Sequence, residues 1–210
     1  TVYLTNENGQ KMTPVIERTI KENEVEIMQT TPSVMRFHLE NISNTNNIKS
    51  LKYIMLAGEP LSKSLVNKIK DMIPGVTIYN GYGPSETTIF STVANVTNQN
   101  NITIGKPIHN TQIYILNKNG KVMPQGTIGE MFIAGDGVGK GYINKETQTK
   151  ENFIQNPFIK EKIMYKVGDL GTFNSNGEIT CYGRIDNQVK IRGLRIELTE
   201  IEKQMQAIYN

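Results

Sequence analysis

The chain has 210 residues, with 37% hydrophobic and 20% charged side chains, a composition typical of a folded domain and unlike that of a disordered segment. Its formal net charge is +3, without a block of Lys or Arg, which argues against a nucleic-acid partner. The single cysteine, Cys181, and the two histidines exclude an internal disulfide framework and a Cys- or His-based metal cluster. The apolar runs are too short to span a membrane, so we expect no membrane partner and a reducing, cytoplasmic compartment.

Strand and helix patterns alternate over residues 1–98. Short apolar and β-branched runs predict strands at 25–28, 52–57 and 76–79. A Ser or Thr before an amphipathic stretch predicts helix starts at Thr13, Thr31 and Ser62. Because residues 52–57 are almost all apolar, we expect both faces of that strand to be covered. The alternation predicts a parallel α/β subdomain that binds ligands at the carboxyl ends of its strands, where Gly58 and Asn80 stand.

The pattern changes near residue 99, where alternating apolar residues and frequent turns replace the earlier alternation. Asn-Gly dipeptides, which are strong signals for β-hairpins, occur at 119–120 and 176–177. A further strand is predicted at 129–134. These features indicate an all-β subdomain over residues 99–185, either a small barrel or a bent sheet.

Residues 186–210 differ from both earlier parts. Thr199 and Glu202 have the spacing of a capping box and precede a helical stripe of apolar residues. We therefore predict a helix that begins near Thr199. The chain starts without Met and stops within this predicted helix, so we expect it to be a piece of something longer.

Residues 80–88, Asn-Gly-Tyr-Gly-Pro-Ser-Glu-Thr-Thr, combine turn chemistry with ligand-binding groups. The two glycines permit backbone angles that other residues avoid, and Pro84 has a fixed φ. A ligand could approach this backbone closely. The hydroxyls could bind a phosphate, and Glu86 could bind a hard cation. The alternative interpretation is a Gly/Pro turn that caps a following helix.

A glycine-rich segment at residues 135–141 invites comparison with a phosphate-binding loop. The Walker pattern requires Gly where Ala134 stands, and Ser or Thr where Gly141 stands. The segment therefore fails this comparison, and its glycines do not predict a phosphate-binding loop.

Four stretches, in order along the chain, resemble the signatures of adenylate-forming enzymes. They are 80–88, 129–142 (beginning Gly-Glu-Met-Phe-Ile-Ala-Gly), 165–170 (Tyr-Lys-Val-Gly-Asp-Leu) and 183–202 (beginning Gly-Arg-Ile-Asp-Asn-Gln-Val-Lys-Ile-Arg-Gly). The sequences of these stretches are most similar to those of the adenylation domains of nonribosomal peptide synthetases, and they depart from that family at Val167 and Thr199. In that family the second stretch is a structural strand and turn, so the resemblance implies no catalytic role for it.

The resemblance also implies a domain organisation. Residues 1–98 would form the α/β, flavodoxin-like subdomain of the adenylation core, and residues 99–185 its β-barrel-like subdomain. Residues 186–210 would contain the hinge, at Asp186, and the start of a truncated C-terminal lid domain.

By the same resemblance the chain would bind ATP and Mg²⁺. Tyr82 would stack on adenine, Asn80 would bind its exocyclic amine, and Asp169 would bind the two ribose hydroxyls. The two residues with catalytic roles would be Ser85, which meets the phosphate, and Glu86, which holds Mg²⁺. The remaining implied nucleotide contacts are Gly58, Glu59 and Arg184. Taken alone, Asp169 could instead be a turn residue that caps local amides.

Matching onto the positions that line the substrate side chain in this family gives Gln29, Met55, Ala57, Gly81, Ile89 and Phe90. Large apolar side chains around small residues would suit an apolar or aromatic amino acid, with one polar contact from Gln29. Without the resemblance, Met55 and Ile89 would be interpreted as core residues.

The implied enzyme would join ATP and an amino acid into an aminoacyl-adenylate and pass the aminoacyl group to the phosphopantetheine thiol of a carrier protein. The alternatives are another adenylate-forming ligase, either an acyl-CoA ligase or a D-alanyl carrier-protein ligase, and a non-catalytic module that keeps the fold. The family's phosphate loop, amino-group aspartate and lid lysine have no match in the 210 residues, so we expect this stretch by itself to be inactive.

Overall fold

The computed structural model describes residues 1–3, 12–186, 188–191 and 194–209. Two compact units are present, one made of residues 1–80 and 95–102 and the other of residues 81–94 and 103–210. The division into three parts predicted at residues 98 and 185 stays a prediction.

The first unit has an α/β architecture in which helices and strands alternate. Its elements are α1 (Thr13–Glu22), β1 (Ile27–Thr30), α2 (Pro32–Asn41), a short 3-10 helix (Thr45–Ile48), β2 (Tyr53–Ala57), α3 (Lys63–Met72) and the start of β3 (Thr77–Tyr82). Strand β2 lies between β1 and β3, and β1 runs parallel to it with Gln29 opposite Met55. The predicted parallel α/β subdomain is confirmed.

Two of the three predicted helix caps in this unit are present. Thr31 Oγ1 accepts a hydrogen bond from the Val34 amide at 3.4 Å, and Ser62 Oγ accepts one from the Leu65 amide at 3.3 Å. The prediction for Thr13 is wrong, because Met12 is the N-cap of α1 and Thr13 is its first helical residue. The Thr13 hydroxyl is buried and lies 3.0 Å from His38 Nδ1, so a tertiary partner replaces the local one.

The core of the first unit lies between the sheet and its helices. Ile54, Leu56 and Ile78 are fully buried, and the apolar stripe of α3 supplies Leu65 and Ile69. The expectation that both faces of β2 are covered is wrong, since Tyr53 is 43% exposed and burial alternates along the strand. Successive side chains of a strand point to opposite faces, so one face of β2 is buried and the other is partly open.

The second unit is mainly β-structure and contains one curled, half-barrel sheet. Its strands are the end of β3, β4 (Thr92–Asn95), β5 (Lys106–Pro107), β6 (Thr111–Leu116), β7 (Gly129–Gly135), β8 (Phe153–Gln155), β9 (Ile163–Phe173) and β10 (Ile179–Arg184). The sheet order is β10-β9-β7-β6, all antiparallel, with β8 on β9, while β4 pairs with β5. Buried Ile115, Met131, Ile133 and Val167 form its core.

The predicted turns of this sheet are confirmed at both Asn-Gly dipeptides, where Gly120 and Gly177 have positive φ values of 73° and 73°. One helix was not predicted. Helix α4 (Glu146–Asn152) interrupts the β-structure and has no buried residue, so it shows no apolar periodicity that would reveal it.

After β10 the chain forms a hairpin and a helix. Strands β11 (Gln188–Ile191) and β12 (Leu194–Glu197) pair antiparallel, with Gln188 opposite Glu197, and α5 runs over Leu198–Tyr209. The helix was predicted, but it begins before Thr199, which is therefore not its cap. The motif residues 187, 192 and 193 lie outside the described residues. Among the helices described, none is long and apolar enough to cross a membrane.

Candidate functional site

Tyr82 and Asp169 meet in the second unit. Strand β3 extends to Tyr82, beyond its predicted end at residue 79, and the Tyr82 hydroxyl donates to Asp169 Oδ2 at 2.5 Å. Asp169 lies in β9 and is 8% exposed, while the Tyr82 ring packs against the core of the sheet. Burial first, and then the carboxylate of Asp169, raise the pKa of Tyr82 well above its ordinary value, so the phenol is a neutral donor.

Arg184 connects Asp169 to Asp186. It lies opposite Asp169 in the pairing of β9 with β10, and its Nη1 is 3.5 Å from Asp169 Oδ1. Its Nε and Nη2 donate to the two carboxylate oxygens of Asp186 at 2.8 and 2.5 Å. The guanidinium needs the space beside Gly168, where a Cβ would stand 2.9 Å from Nη2 and where φ is +80°. Glycine at this position lets the cation lie over the strand between two acids.

Glu86 is held by a different set of residues. It lies in a short 3-10 helix (Ser85–Thr87), and its Oε1 accepts a hydrogen bond from the Tyr142 hydroxyl at 2.7 Å. Its backbone carbonyl accepts another from the Gly139 amide at 2.8 Å. Burial and the hydrogen bond to Glu86 raise the pKa of Tyr142 above its ordinary value, so Tyr142 is protonated and can donate.

The chain turns sharply after Glu86. Thr88 and Ile89 both have left-handed backbone angles, with φ values of 62° and 67°, which is uncommon for β-branched residues. The turn is held by the Thr88 amide, which donates to the Ser85 carbonyl at 3.2 Å, and by the Phe90 amide, which donates to the Thr88 carbonyl at 2.8 Å. It leaves Ser85 exposed and Ile89 62% exposed.

Close packing of the backbone explains why residue 83 of the 80–88 stretch is a glycine. A Cβ on this residue would stand 2.5 Å from the Ile89 carbonyl oxygen and 2.8 Å from the Ser91 amide nitrogen. Both contacts are with backbone atoms, which cannot move aside as a flexible side chain could. Glycine is therefore required for the close return of the chain after Ile89.

Six of the predicted site residues lie in the first unit. Gly58 follows β2 with φ of +85°, and Asn80 is 5% exposed in β3. Glu59 accepts hydrogen bonds from the Ser33 amide and hydroxyl, both at 2.8 Å, so it caps the start of α2. Gln29 and Met55 are neighbours on paired strands, and Ala57 ends β2.

The structure thus joins Tyr82, Asp169, Arg184 and Asp186 in one cluster and holds Glu86 through Tyr142. Of the predicted pocket residues, Gln29, Met55 and Ala57 belong to the first unit and Gly81, Ile89 and Phe90 to the second, so their common pocket stays a prediction. Sequence reasoning missed the contact between Tyr142 and Glu86. The available signal was that Tyr142 ends a stretch already matched to a family signature.

Comparison with protein families identifies the chain. The model for "AMP-binding enzyme" matches residues 1–143. The chain is 40% identical over 210 residues to bacitracin synthase 3 of Bacillus licheniformis, covering 97% of this chain and 3% of that protein. It is 37% identical over 203 residues to gramicidin S synthase 2 of Aneurinibacillus migulanus, covering 96% of this chain and 4% of that protein. The chain thus spans a small fraction of these relatives.

Solved structures of proteins that contain adenylation domains have the same fold. PA1221, a protein containing adenylation and PCP domains, superposes with a TM-score of 0.83 at 26% identity, covering 92% of this chain and 40% of that one. The Vibrio cholerae adenylation domain AlmE, in complex with glycyl-adenosine-5'-phosphate, superposes with a TM-score of 0.78 at 28% identity, covering 89% and 36%. The resemblance drawn from the signatures is confirmed, and the chain belongs to the AMP-binding enzyme family.

Proposed function

We propose that this chain is part of an enzyme that activates an amino acid with ATP. In the first step a substrate carboxylate oxygen bonds to the α-phosphorus of ATP, and the bond to pyrophosphate breaks. In the second, the thiol of a phosphopantetheinylated carrier protein loses its proton and attacks the acyl carbon, and AMP leaves. The observation that carries the proposal is the 2.5 Å contact between Tyr82 and Asp169, two residues implied separately as adenine and ribose ligands.

The nucleotide would lie along this cluster. The ring of Tyr82 offers an aromatic face to adenine, with the Asn80 amide for the base edge. The Asp169 carboxylate, oriented by Tyr82 and Arg184, would accept the ribose hydroxyls. Gly58 and Glu59 would contribute contacts from the end of β2. Asp186, bonded to Arg184, is the proposed hinge.

Glu86 and Ser85 would act on the phosphates. No group of three or more metal-ligating side chains occurs in the part of the chain that the structure describes. Mg²⁺ itself is commonly held by one or two carboxylates together with substrate phosphates and waters. Glu86 supplies such a carboxylate, and the exposed Ser85 hydroxyl can donate to a phosphate oxygen. The bound cation would neutralise charge that develops on the phosphates.

The amino acid would be apolar or aromatic, because Met55, Ile89 and Phe90 are the large side chains among the proposed pocket residues. A carrier-protein partner is supported by PA1221, which contains a PCP domain, and an aminoacyl-adenylate product by the AlmE complex. The single cysteine and the composition favour a reducing, cytoplasmic setting.

The test is exchange of labelled pyrophosphate into ATP by the full-length protein, run against each of the twenty amino acids and against carboxylic acids that lack an amino group. We expect exchange above background with one or a few apolar or aromatic amino acids. Exchange with none of them would contradict the proposal and favour a non-catalytic module. Exchange only with carboxylic acids that lack an amino group would assign the chain to another branch of the adenylate-forming ligases.

Selectivity provides a second test. If Met55 lines the pocket, Met55→Ala enlarges it, and the preference among amino acids should shift toward larger apolar side chains by about 10-fold or more. Met72→Ala, at the C-terminal end of α3, is the matched control and should leave the preference unchanged. An unchanged profile for Met55→Ala would remove this residue from the pocket.

A further inference from the structure

The glycine-rich segment at residues 135–142, here called the glycine turn, packs directly on the residues around Glu86. The Gly139 amide donates to the Glu86 carbonyl at 2.8 Å, and the Thr88 hydroxyl donates to the Gly137 carbonyl at 2.8 Å. A Cβ on Gly137 would stand 3.0 Å from the Thr87 carbonyl oxygen. The glycines of this turn therefore allow two backbones to approach closely, which explains them without a phosphate-loop role.

Tyr142, the last residue of the glycine turn, contacts the side chain of Glu86 as well. Its hydroxyl donates to Glu86 Oε1 at 2.7 Å and lies 3.3 Å from the Tyr165 hydroxyl. Its ring meets Phe153 edge to face, with centroids 5.4 Å apart. The ring is thus placed by aromatic packing, and the hydroxyl alone reaches the carboxylate.

Helix α4 fixes the backbone of Tyr142. The Tyr142 amide donates to Thr149 Oγ1 at 2.9 Å. The preceding residue, Gly141, has φ of +134°, and a Cβ there would stand 2.4 Å from Thr149 Cγ2. Tyr142 is therefore held from both its backbone and its ring, which makes it a rigid donor for Glu86.

We propose that Tyr142 is a positioning residue that orients the Glu86 carboxylate for a magnesium-bound nucleotide. The inference rests on the proposed function, since it takes Glu86 as the carboxylate that meets the cation. With Oε1 fixed by a neutral phenol, rotation of the carboxylate is restricted before the ligand arrives. Hydrogen bonds to a metal-binding carboxylate typically affect metal affinity by about 10–100-fold.

The decisive variant is Tyr142→Phe in the full-length protein, because it removes the hydroxyl and keeps the ring against Phe153. The matched control is Tyr114→Phe, whose ring stacks on Phe158 at 4.6 Å in the same unit. The first readout is Mg²⁺ binding in the presence of a non-hydrolysable ATP analogue, measured by titration calorimetry. The second is the Mg²⁺ dependence of pyrophosphate exchange, with the melting temperature as a check on folding.

For Tyr142→Phe we expect the Mg²⁺ dissociation constant to rise about 10-fold. The exchange rate should fall at low Mg²⁺ and recover toward the wild-type value when Mg²⁺ is saturating. Tyr114→Phe should bind Mg²⁺ as the wild type does. If Tyr142→Phe is too unstable to measure, Thr149→Val, which removes the acceptor of the Tyr142 amide, should give a smaller shift in the same direction.

Two outcomes would overturn the inference. If Tyr142→Phe folds and binds Mg²⁺ with wild-type affinity while the wild type exchanges pyrophosphate, Tyr142 does not position Glu86 and the proposed function stands. If the wild-type protein neither binds Mg²⁺ in the presence of the ATP analogue nor exchanges pyrophosphate, the proposed function fails and the inference fails with it.

Discussion

In the first unit, Glu17 and Glu59 accept hydrogen bonds from a serine amide and its hydroxyl, whereas in the second unit Asp169 and Glu86 accept theirs from tyrosine hydroxyls. A serine amide belongs to the backbone, so a carboxylate bound to it secures the path of the chain. A tyrosine hydroxyl stands at the end of a side chain and orients a carboxylate without fixing backbone. The first pair therefore serves the fold, and the second pair is the one that we propose to serve a ligand.

Glu17 is the clearest example of a carboxylate that serves the fold. It is 5% exposed, and its two oxygens accept from the Ser43 amide at 2.5 Å, the Ser43 hydroxyl at 2.6 Å and the Asn47 side-chain amide at 3.1 Å. It therefore ties α1 to the segment after α2. Glu59 combines the two kinds, because it caps α2 and also stands at the strand end implied to meet the nucleotide.

The largest effect is expected for Asp169→Asn. The variant keeps the shape of the side chain but loses the charge that faces Tyr82 and Arg184, and kcat/KM for ATP in the exchange assay should fall about 100-fold. Asp71→Asn, on the exposed part of α3, is the matched control and should be unchanged. A large loss of stability with an unchanged KM for ATP would place Asp169 with the fold-serving carboxylates.

Glu17→Gln should lower the stability of the protein without changing its use of ATP. Loss of the charged acceptor weakens the bonds from Ser43 and Asn47, so the free energy of unfolding should fall by about 1–3 kcal/mol, while the KM for ATP stays constant. The control is Glu26→Gln, which removes only an exposed ion pair with Lys52 and should cost less than about 1 kcal/mol. If the two variants lowered the free energy of unfolding equally in chemical denaturation, Glu17 would not be a carboxylate that serves the fold.

The smallest effect concerns pH. Burial alone would raise the pKa of Glu17, but the hydrogen bonds from Ser43 and Asn47 lower it below 4.5 in the folded state. The unfolded state therefore takes up a proton first, so the stabilisation by Glu17 is complete above about pH 4.5 and is lost as the pH falls through the lowered folded value. The stability difference between wild type and Glu17→Gln should shrink over this range, measured by denaturation at several pH values. A constant difference would show that the charge of Glu17 is not what stabilises the unit.

Local sequence determined the elements whose signals are local. The caps at Thr31 and Ser62, the Asn-Gly turns of the second unit and the alternation of strands and helices in the first all depend on residues within a few positions of one another. The family signatures also pointed to the residues of the proposed site. These features could be read before the structure because backbone propensity and hydrophobic periodicity act over short distances.

Tertiary structure decided which partner each side chain found. Tyr82 and Asp169 are 87 residues apart, and Tyr142 and Glu86 are 56 apart, so only the packing of strands and turns brings them together. Thr13 has the local chemistry of a helix cap, yet its hydroxyl bonds with buried His38. Hydrogen bonds between distant elements require a definite arrangement of the whole unit, and a buried polar group takes whichever partner that arrangement provides.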